Sequence, residues 1–581
     1  MTGTKETMSP ALTFPPETIP PMRAQPTFRL ASLLMLLALP AACAGPDGAA
    51  GGPVGGTVII GSAADAEALV PSLTALVQGR VISENIFDRL VEMGPDLNVN
   101  GDAGFDGRLA REWSWSPDSL VITFRLRPEA RWHDGRPVRA IDVLAGYNAI
   151  RDRANGSNLA SHFGDVDSVS ARDSLTVAVH FARRSAEQFY DASQLIPLPA
   201  HIVDTIPSGQ LRRSAFVAAP VGSGRFRFVS REPNVRVELA AFEEHYRGRP
   251  RLDRLVFTVT PEAATGLARV WSGDTDVWEP LAPDDVLEAQ RHEHVHIQTG
   301  PGFDYGFLQF NFRDPRDATK PHALFADREL RRALSLAIDR TTLVRAVFDT
   351  LALMSYGPFT RPQSTADTTL TLIPFDRAAG IAKLDSLGWR PGPDGIRRRG
   401  AQRLSFGLHV PTSSIPRNRL AVLLQEQLRQ AGVEVRIEAM EFAAMRDQLF
   451  AGRFDATIGG LRTTPSPSGI RGAFGSAAIS RGSPLNFGKY ANTEVDAAIE
   501  AGLGALVVTE RRAHMRRAYQ LIIDDAPAVW LYELRNAAAV HRRINVPRWR
   551  SEAWWTTIGD WTIDPAQRLP RDAAPAAPAT P

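Results

Sequence analysis

The chain has 581 residues, 44% of them hydrophobic and 22% charged, a balance that excludes collagen-like and disordered classes and leaves room for about four domains of ordinary size. Its 66 basic and 64 acidic residues nearly cancel, to +2, which excludes a nucleic-acid binder working through a global positive field. The single cysteine, Cys43, excludes an internal disulfide and any cysteine-built zinc or iron–sulfur site.

Arg23 and Arg29 precede an apolar run from Leu30 to Ala42, broken only by Ser32 and Pro40. The run is shorter than the roughly 20 apolar residues a bilayer span needs, and charge, apolar stretch and small residues in that order read as a secretory leader. Cys43 directly follows Ala41 and Ala42. The segment resembles a bacterial lipoprotein signal, in which that cysteine is lipidated and becomes the new N-terminus, although Leu39 sits one place further back than the pattern usually has it. Met22 is the better start for such a leader, and residues 44–56 follow as a flexible linker rich in glycine.

The folded sequence begins near Thr57, with the β-prone run Thr57-Val58-Ile59-Ile60 stopped by Gly61. Between Leu120 and Arg127 the alternation of Ile122, Phe124 and Leu126 with Val121, Thr123 and Arg125 predicts a half-buried strand, and Asp134-Gly135 a turn. Asp327 is placed to cap a helix whose face carries Leu330, Ala333, Leu334, Ala337 and Ile338. Leu420, Leu423, Leu424 and Leu428 repeat the helical spacing, Gly432 stops it, and Val433, Val435 and Ile437 continue as a strand. Interleaved helices and strands predict α/β architecture. From Arg571 onward the Ala/Pro tail, 571–581, reads as disordered.

His292-Glu293-His294-Val295-His296 fits the His-Glu-x-x-His zinc-peptidase motif. That chemistry needs both outer histidines on one helical face, with the glutamate as general base. Here Val295, Ile297 and Thr299 alternate like a strand and Gly300-Pro301-Gly302 stops any helix, so a connection leading into a strand is expected, with no resident metal or cofactor. A zinc peptidase using His292, Glu293 and His296 is the competing reading. His133-Asp134 reads as part of a tight turn, since adjacent turn residues point apart. None of the four lysines, Lys5, Lys320, Lys383 and Lys489, has a serine three places before it, and Lys489 is followed by Tyr490, which excludes Ser-x-x-Lys and P-loop chemistry.

An ordered series of segments resembles the extracytoplasmic solute-binding proteins of bacterial peptide/nickel ABC importers. It opens with Glu84 to Val91 and is densest from Leu109 through Trp113, Ser116-Pro117-Asp118 and Phe124 to Arg127, then Trp132-His133-Asp134-Gly135. It continues through Pro220 to Gly224, Phe310-Asn311, Leu330 to Leu334 and Ala337 to Arg340. Leu387-Gly388-Trp389, Leu424 to Val435, Phe454-Asp455-Ala456, Tyr490-Ala491-Asn492 and Val495-Asp496 complete it.

The resemblance implies a two-lobed, hinged periplasmic-binding-protein-like α/β fold with an additional domain in the first lobe. The first lobe is expected from 57–80, 222–302 and 528–570, the additional domain from 81–221, and the second lobe from 303–527. The implied protein is periplasmic, monomeric and anchored through lipidated Cys43. It takes a peptide or small-molecule ligand in the interlobe cleft, delivers it to an ABC permease in the inner membrane, and performs no catalysis. A sensor or chaperone derived from such a protein is a further reading.

In peptide-binding relatives an aspartate a short way past the Phe454-Asp455-Ala456 position pairs with the ligand's free α-amine. This chain has no Asp or Glu between Asp455 and Glu494, but does have Arg462, Arg471, Arg481 and Lys489. A bare ammonium in a dry cleft costs several kcal/mol. Arg462 facing the cleft, with Thr463 and Thr464 beside it, instead suits a carboxylate, phosphate or similar acceptor. The alternative places Arg462 toward solvent and draws the amine partner from elsewhere, such as Asp65 or Glu67. Trp278 and Trp389 are candidate apolar walls.

Overall fold

The computed structural model describes residues 54–573 except 75 and 484. The leader, Cys43 and the linker through 53 lie outside the described residues, as does the chain from 574.

Alternation and capping form the expected elements. Strand Val121–Leu126 buries Ile122, Phe124 and Leu126. Helix Arg328–Leu336 starts at Asp327, whose carboxylate accepts from the amides of Glu329 and Leu330, satisfying donors that have no partner inside the helix. Helix Ile415–Arg429 buries Leu420, Leu424 and Leu428, and Gly432 then takes the left-handed conformation before strand Glu434–Met440.

One large mixed sheet runs through the molecule. At its centre the antiparallel strands Val295–Phe310 and Ala528–His541 pass from one lobe into the other. Their first-lobe halves pair Val295 to Pro301 with Arg535 to His541, and beyond them follow Val277–Trp278, Thr57–Ser62, Arg254–Val259, Arg236–Ala241 and Phe226–Glu232. On the second-lobe side Asp304 to Phe310 pairs with Ala456–Arg462, followed by Ser405–Pro411 and Glu434–Met440. The register shifts between Pro301 and Tyr305, where the strands leave the first lobe. A Cβ on Gly302 would stand 2.3 Å from the Leu534 carbonyl, so only glycine allows the strands to approach this closely there.

The additional domain is a four-stranded antiparallel sheet, in the order Ala110–Trp115, Val121–Leu126, Thr176–Phe181, Val166–Ala171. Its core is continuous with that of the first lobe: Phe124 and Val179 belong to the same buried cluster as Val58 and Ile60. The second lobe has separate clusters built around Phe406 and Leu424, and around Tyr519 and Trp530.

The observed elements depart from the expected segment boundaries in four places. Helix Val77–Ile86 runs through Arg80, because its apolar residues pack as one face. The strand from Ala528 serves the second lobe until about Glu533: Val529, Leu531 and Tyr532 sit in a second-lobe core, and Tyr305 pairs with Glu533. Arg571 and Asp572, assigned by composition to a disordered tail, are held in place by ion pairs. Arg571 pairs with Asp276 at 2.8 Å, and Asp572 pairs with Arg543 at 2.8 Å and accepts from the Thr57 amide at 2.7 Å. Order also begins before Thr57, since the Gly56 amide donates to Asp253 at 2.8 Å.

Candidate functional site

A cavity of about 300 Å³ opens beside the strand crossing. Helix Val77–Ile86 and the residues after it supply Arg80, Glu84, Asp88, Arg89 and Glu92; the additional domain supplies Tyr190, Ser193 and Gln194; the C-terminal return supplies Arg550, Glu552 and Thr556. From the second-lobe side come Phe303 and the run Arg462-Thr463-Thr464-Pro465. Both lobes therefore enclose the same space.

The first-lobe wall is a lattice of paired charges. Glu84 meets Arg89 at 2.7 Å and Arg80 at 3.4 Å and accepts from the Trp555 indole at 2.8 Å. Burial alone would raise its carboxyl, but the two arginines and the indole hold it down at about 2. Asp88 accepts from Tyr246 at 2.6 Å and lies 3.0 Å from His245, which together overcome burial and keep it well below the usual carboxylate range. Glu92 is shared by Arg108 and Arg550. Arg247 also lines the cavity and forms no ion pair with a carboxylate among the described residues. Enclosure by protein and repulsion from Arg108 lower its pKa, with Asp88 offsetting part.

On the opposite wall, Arg462 pairs with Asp304 at 2.8 Å across the strand ladder and still borders the cavity. The Thr463 hydroxyl donates to the Phe303 carbonyl at 3.0 Å and lies 2.7 Å from that of Thr360. Thr464 donates to the Ser466 carbonyl at 3.2 Å and reaches the Tyr190 hydroxyl across the cleft. Deeper between the lobes, Glu187 of the first lobe accepts from Ser466 at 2.6 Å and pairs with Arg511 of the second.

The structure thus brings Arg462, Thr463 and Thr464 to one cavity, and places the other four candidates elsewhere. Asp65 borders a smaller pocket but is engaged by Arg231 at 2.9 Å and by the Asn234 amide at 3.0 Å. Burial would raise it, and these partners hold it below its usual value. Glu67 accepts from the Leu76 amide at 2.6 Å, beneath the start of the helix. Trp278 packs in the cluster with Val270 and Leu281, and Trp389 is fully buried with Leu384 and Leu404. Hydrophobic burial claims both large rings. No local pattern in the sequence distinguishes Arg247, Glu187 and Arg511 from other charged residues.

The histidine-rich stretch forms no helix. Strand Val295–Phe310 starts inside it, the His292 ring stacks on Trp271 at 4.9 Å, and His294 meets the Val270 carbonyl at 3.2 Å. Among the described residues no group of three His, Cys, Asp or Glu is arranged to hold a metal ion. His133 ties the additional domain to the first lobe, accepting from the Gly222 amide at 3.2 Å and facing the Gly224 carbonyl at 2.9 Å. Burial lowers its pKa to about 4, so the ring is neutral and bridges the two backbone groups.

Known proteins share this architecture. The description "Bacterial extracellular solute-binding proteins, family 5 Middle" matches residues 104–479, well over half of the chain. The oligopeptide-binding protein AppA of Bacillus subtilis is 26% identical over 562 residues, covering 92% of this chain and 99% of AppA. Its structure with a nonapeptide superposes with a TM-score of 0.71 at 22% identity, over 88% of this chain and 99% of that one. The ABC transporter substrate-binding protein CtaP of Listeria monocytogenes gives 0.77 at 21% identity, over 88% and 99%. NikZ of Campylobacter jejuni, in complex with Ni(L-His), gives 0.71 at 21% identity, over 87% and 99%. A two-lobed α/β fold, a cavity enclosed by both lobes and a family match across the middle of the sequence lead to one conclusion: the chain belongs to the bacterial extracellular solute-binding proteins, family 5.

Proposed function

We propose that the protein is the substrate-binding component of an ABC importer, capturing a short peptide or related small solute between its lobes and delivering it to a membrane permease. The observation that carries this reading is the cavity itself, walled by both lobes at the point where two continuous strands join them. Rotation about those strands opens or seals the space, and the sealed form is what a permease can recognise. At about 300 Å³ the cavity lies at the small end of ligand sites, about 300–1,000 Å³. That size favours a short ligand over a chain as long as the nonapeptide held by AppA. Arg247 on one wall and Arg462 on the other are the groups suited to a ligand carboxylate.

Family membership makes the protein extracytoplasmic. Lipidation of Cys43 adds the anchor, and that part of the proposal rests on the leader pattern alone.

Native mass spectrometry of the protein purified without refolding tests the reading, by weighing and sequencing whatever remains in the cavity. A set of short peptides is the expected result. One and the same non-peptidic molecule in every preparation would overturn the peptide assignment.

A further inference from the structure

Three parallel strands of the first lobe end at one small pocket. Thr57–Ser62 runs parallel to both Arg254–Val259 and Val277–Trp278. Ser62, Val259 and Glu279, at or just past their carboxyl ends, border a cavity of about 50 Å³. Sheets of this kind bind ligands outside the carboxyl ends of their strands. The remaining walls are mostly apolar, with Ile60, Val81, Phe257 and Val277 among them, and Trp554 at the side.

Glu279 departs from the pairing of the other acids described above. Glu84, Glu92, Asp65 and Asp304 each have an arginine within ion-pair distance. Glu279 accepts one hydrogen bond, from the Trp554 indole, and Arg462 acts on it only through space. Asp65, the other acid on the pocket wall, is committed to Arg231. Burial pushes the Glu279 carboxyl up to about 7, with Trp554 and Arg462 offsetting only part of the rise. A carboxylate lacking a cation in an apolar recess is stabilised by any cation brought to it.

We propose that Glu279 is the cation subsite of the cleft, receiving the α-ammonium group of a short peptide whose first side chain enters the apolar pocket. The proposal rests on the peptide reading above. It places recognition of the amine in the first lobe, at a residue that no charge pattern in the sequence marks. Arg462 then lies on the side where the rest of the ligand continues, and its charge complements the ligand's carboxylate.

The test presents a peptic digest of casein, half of it blocked at the α-amine by acetylation, to the wild-type protein and to Glu279→Gln, and quantifies the captured species by mass spectrometry. Glutamine keeps an acceptor for Trp554, and matching melting curves confirm that the variant is folded. The wild type is expected to favour free-amine peptides by about 30-fold or more, and Glu279→Gln to lose that preference. Equal capture of both forms by the wild type, or a preference that survives in the variant, overturns the Glu279 assignment while leaving peptide binding intact. Capture of neither form by the wild type overturns the peptide reading itself, and the assignment with it. A second readout uses the most abundant captured peptide, resynthesised. Calorimetry near pH 7 in buffers of different ionisation heat should show proton release on binding to the wild type and not to the variant.

Discussion

Arg543 with Asp276 and Arg511 with Glu187 are both buried guanidinium–carboxylate pairs, but the first closes within one lobe and the second spans the cleft. Every guanidinium nitrogen of Arg543 donates: two bonds go to Asp276, one to Asp572 and one to the Thr57 carbonyl. Among the described residues Arg511 has one carboxylate partner, and its Nε and Nη1 have no hydrogen-bond partner. A complete pair gains from every donor it buries, whereas an incomplete one keeps part of the cost of leaving water. Complete pairing suits a permanent tie between the first strand, Asp276 and the C-terminal return. Incomplete pairing suits a contact that must break whenever the lobes part.

The strongest way to break this comparison is Asp276→Ala, which strips Arg543 and Arg571 of a shared partner inside the first lobe. It should cost about 3–5 kcal/mol, read as a lower urea midpoint with or without ligand. An unchanged midpoint would show that the network is not a permanent tie.

Glu84 extends the comparison to the cavity wall. Its carboxyl, held at about 2 by Arg89, Arg80 and Trp555 against the effect of burial, has a folded pKa below its unfolded one. Its contribution is therefore present above the unfolded value of about 4.3 and is lost as pH falls toward 2, at about 3 kcal/mol in all. Acid titration of Glu84→Gln should show a shallower loss of stability than the wild type over that window, and identical slopes would refute the pairing.

Arg511→Met should have the smallest effect and a different kind of effect. Both partners can hydrate when the lobes separate, so the loss falls on the closed state alone and is limited by the free energy of closure. Ligand affinity should drop about tenfold, or 1.4 kcal/mol, with a larger radius of gyration in small-angle scattering at subsaturating ligand and little change in urea midpoint. A fall in stability as large as that of Asp276→Ala would erase the distinction between the two pairs.

Much of the local structure is legible in the sequence alone. The Asp327 cap, the alternation at Ile122, Phe124 and Leu126, and the leucine face from Leu420 to Leu428 rest on interactions within a few residues, and these the sequence displays directly. The lobe boundaries were less legible. Helix Val77–Ile86 and strand Ala528–His541 continue through the expected breaks at Arg80 and Pro527, because apolar patterning shows that a segment is buried and not which core receives it. Trp278 and Trp389 illustrate the same ambiguity, since a large apolar ring reads alike whether it lines a cleft or fills a core.

The sequence by itself determined the kinds of element, their order and, through the series of segments from Glu84 to Asp496, the resemblance to a family of solute-binding proteins. It also located Arg462 in a stretch devoid of acids, since that is a linear fact. Only the tertiary structure decided which charges meet. Glu187 and Arg511 are 324 positions apart, and Glu279 is distinctive because, among the described residues, Arg462 acts on it only through space. Charge pairing depends on distance and on exclusion of water, and both are set by packing between segments remote in the chain.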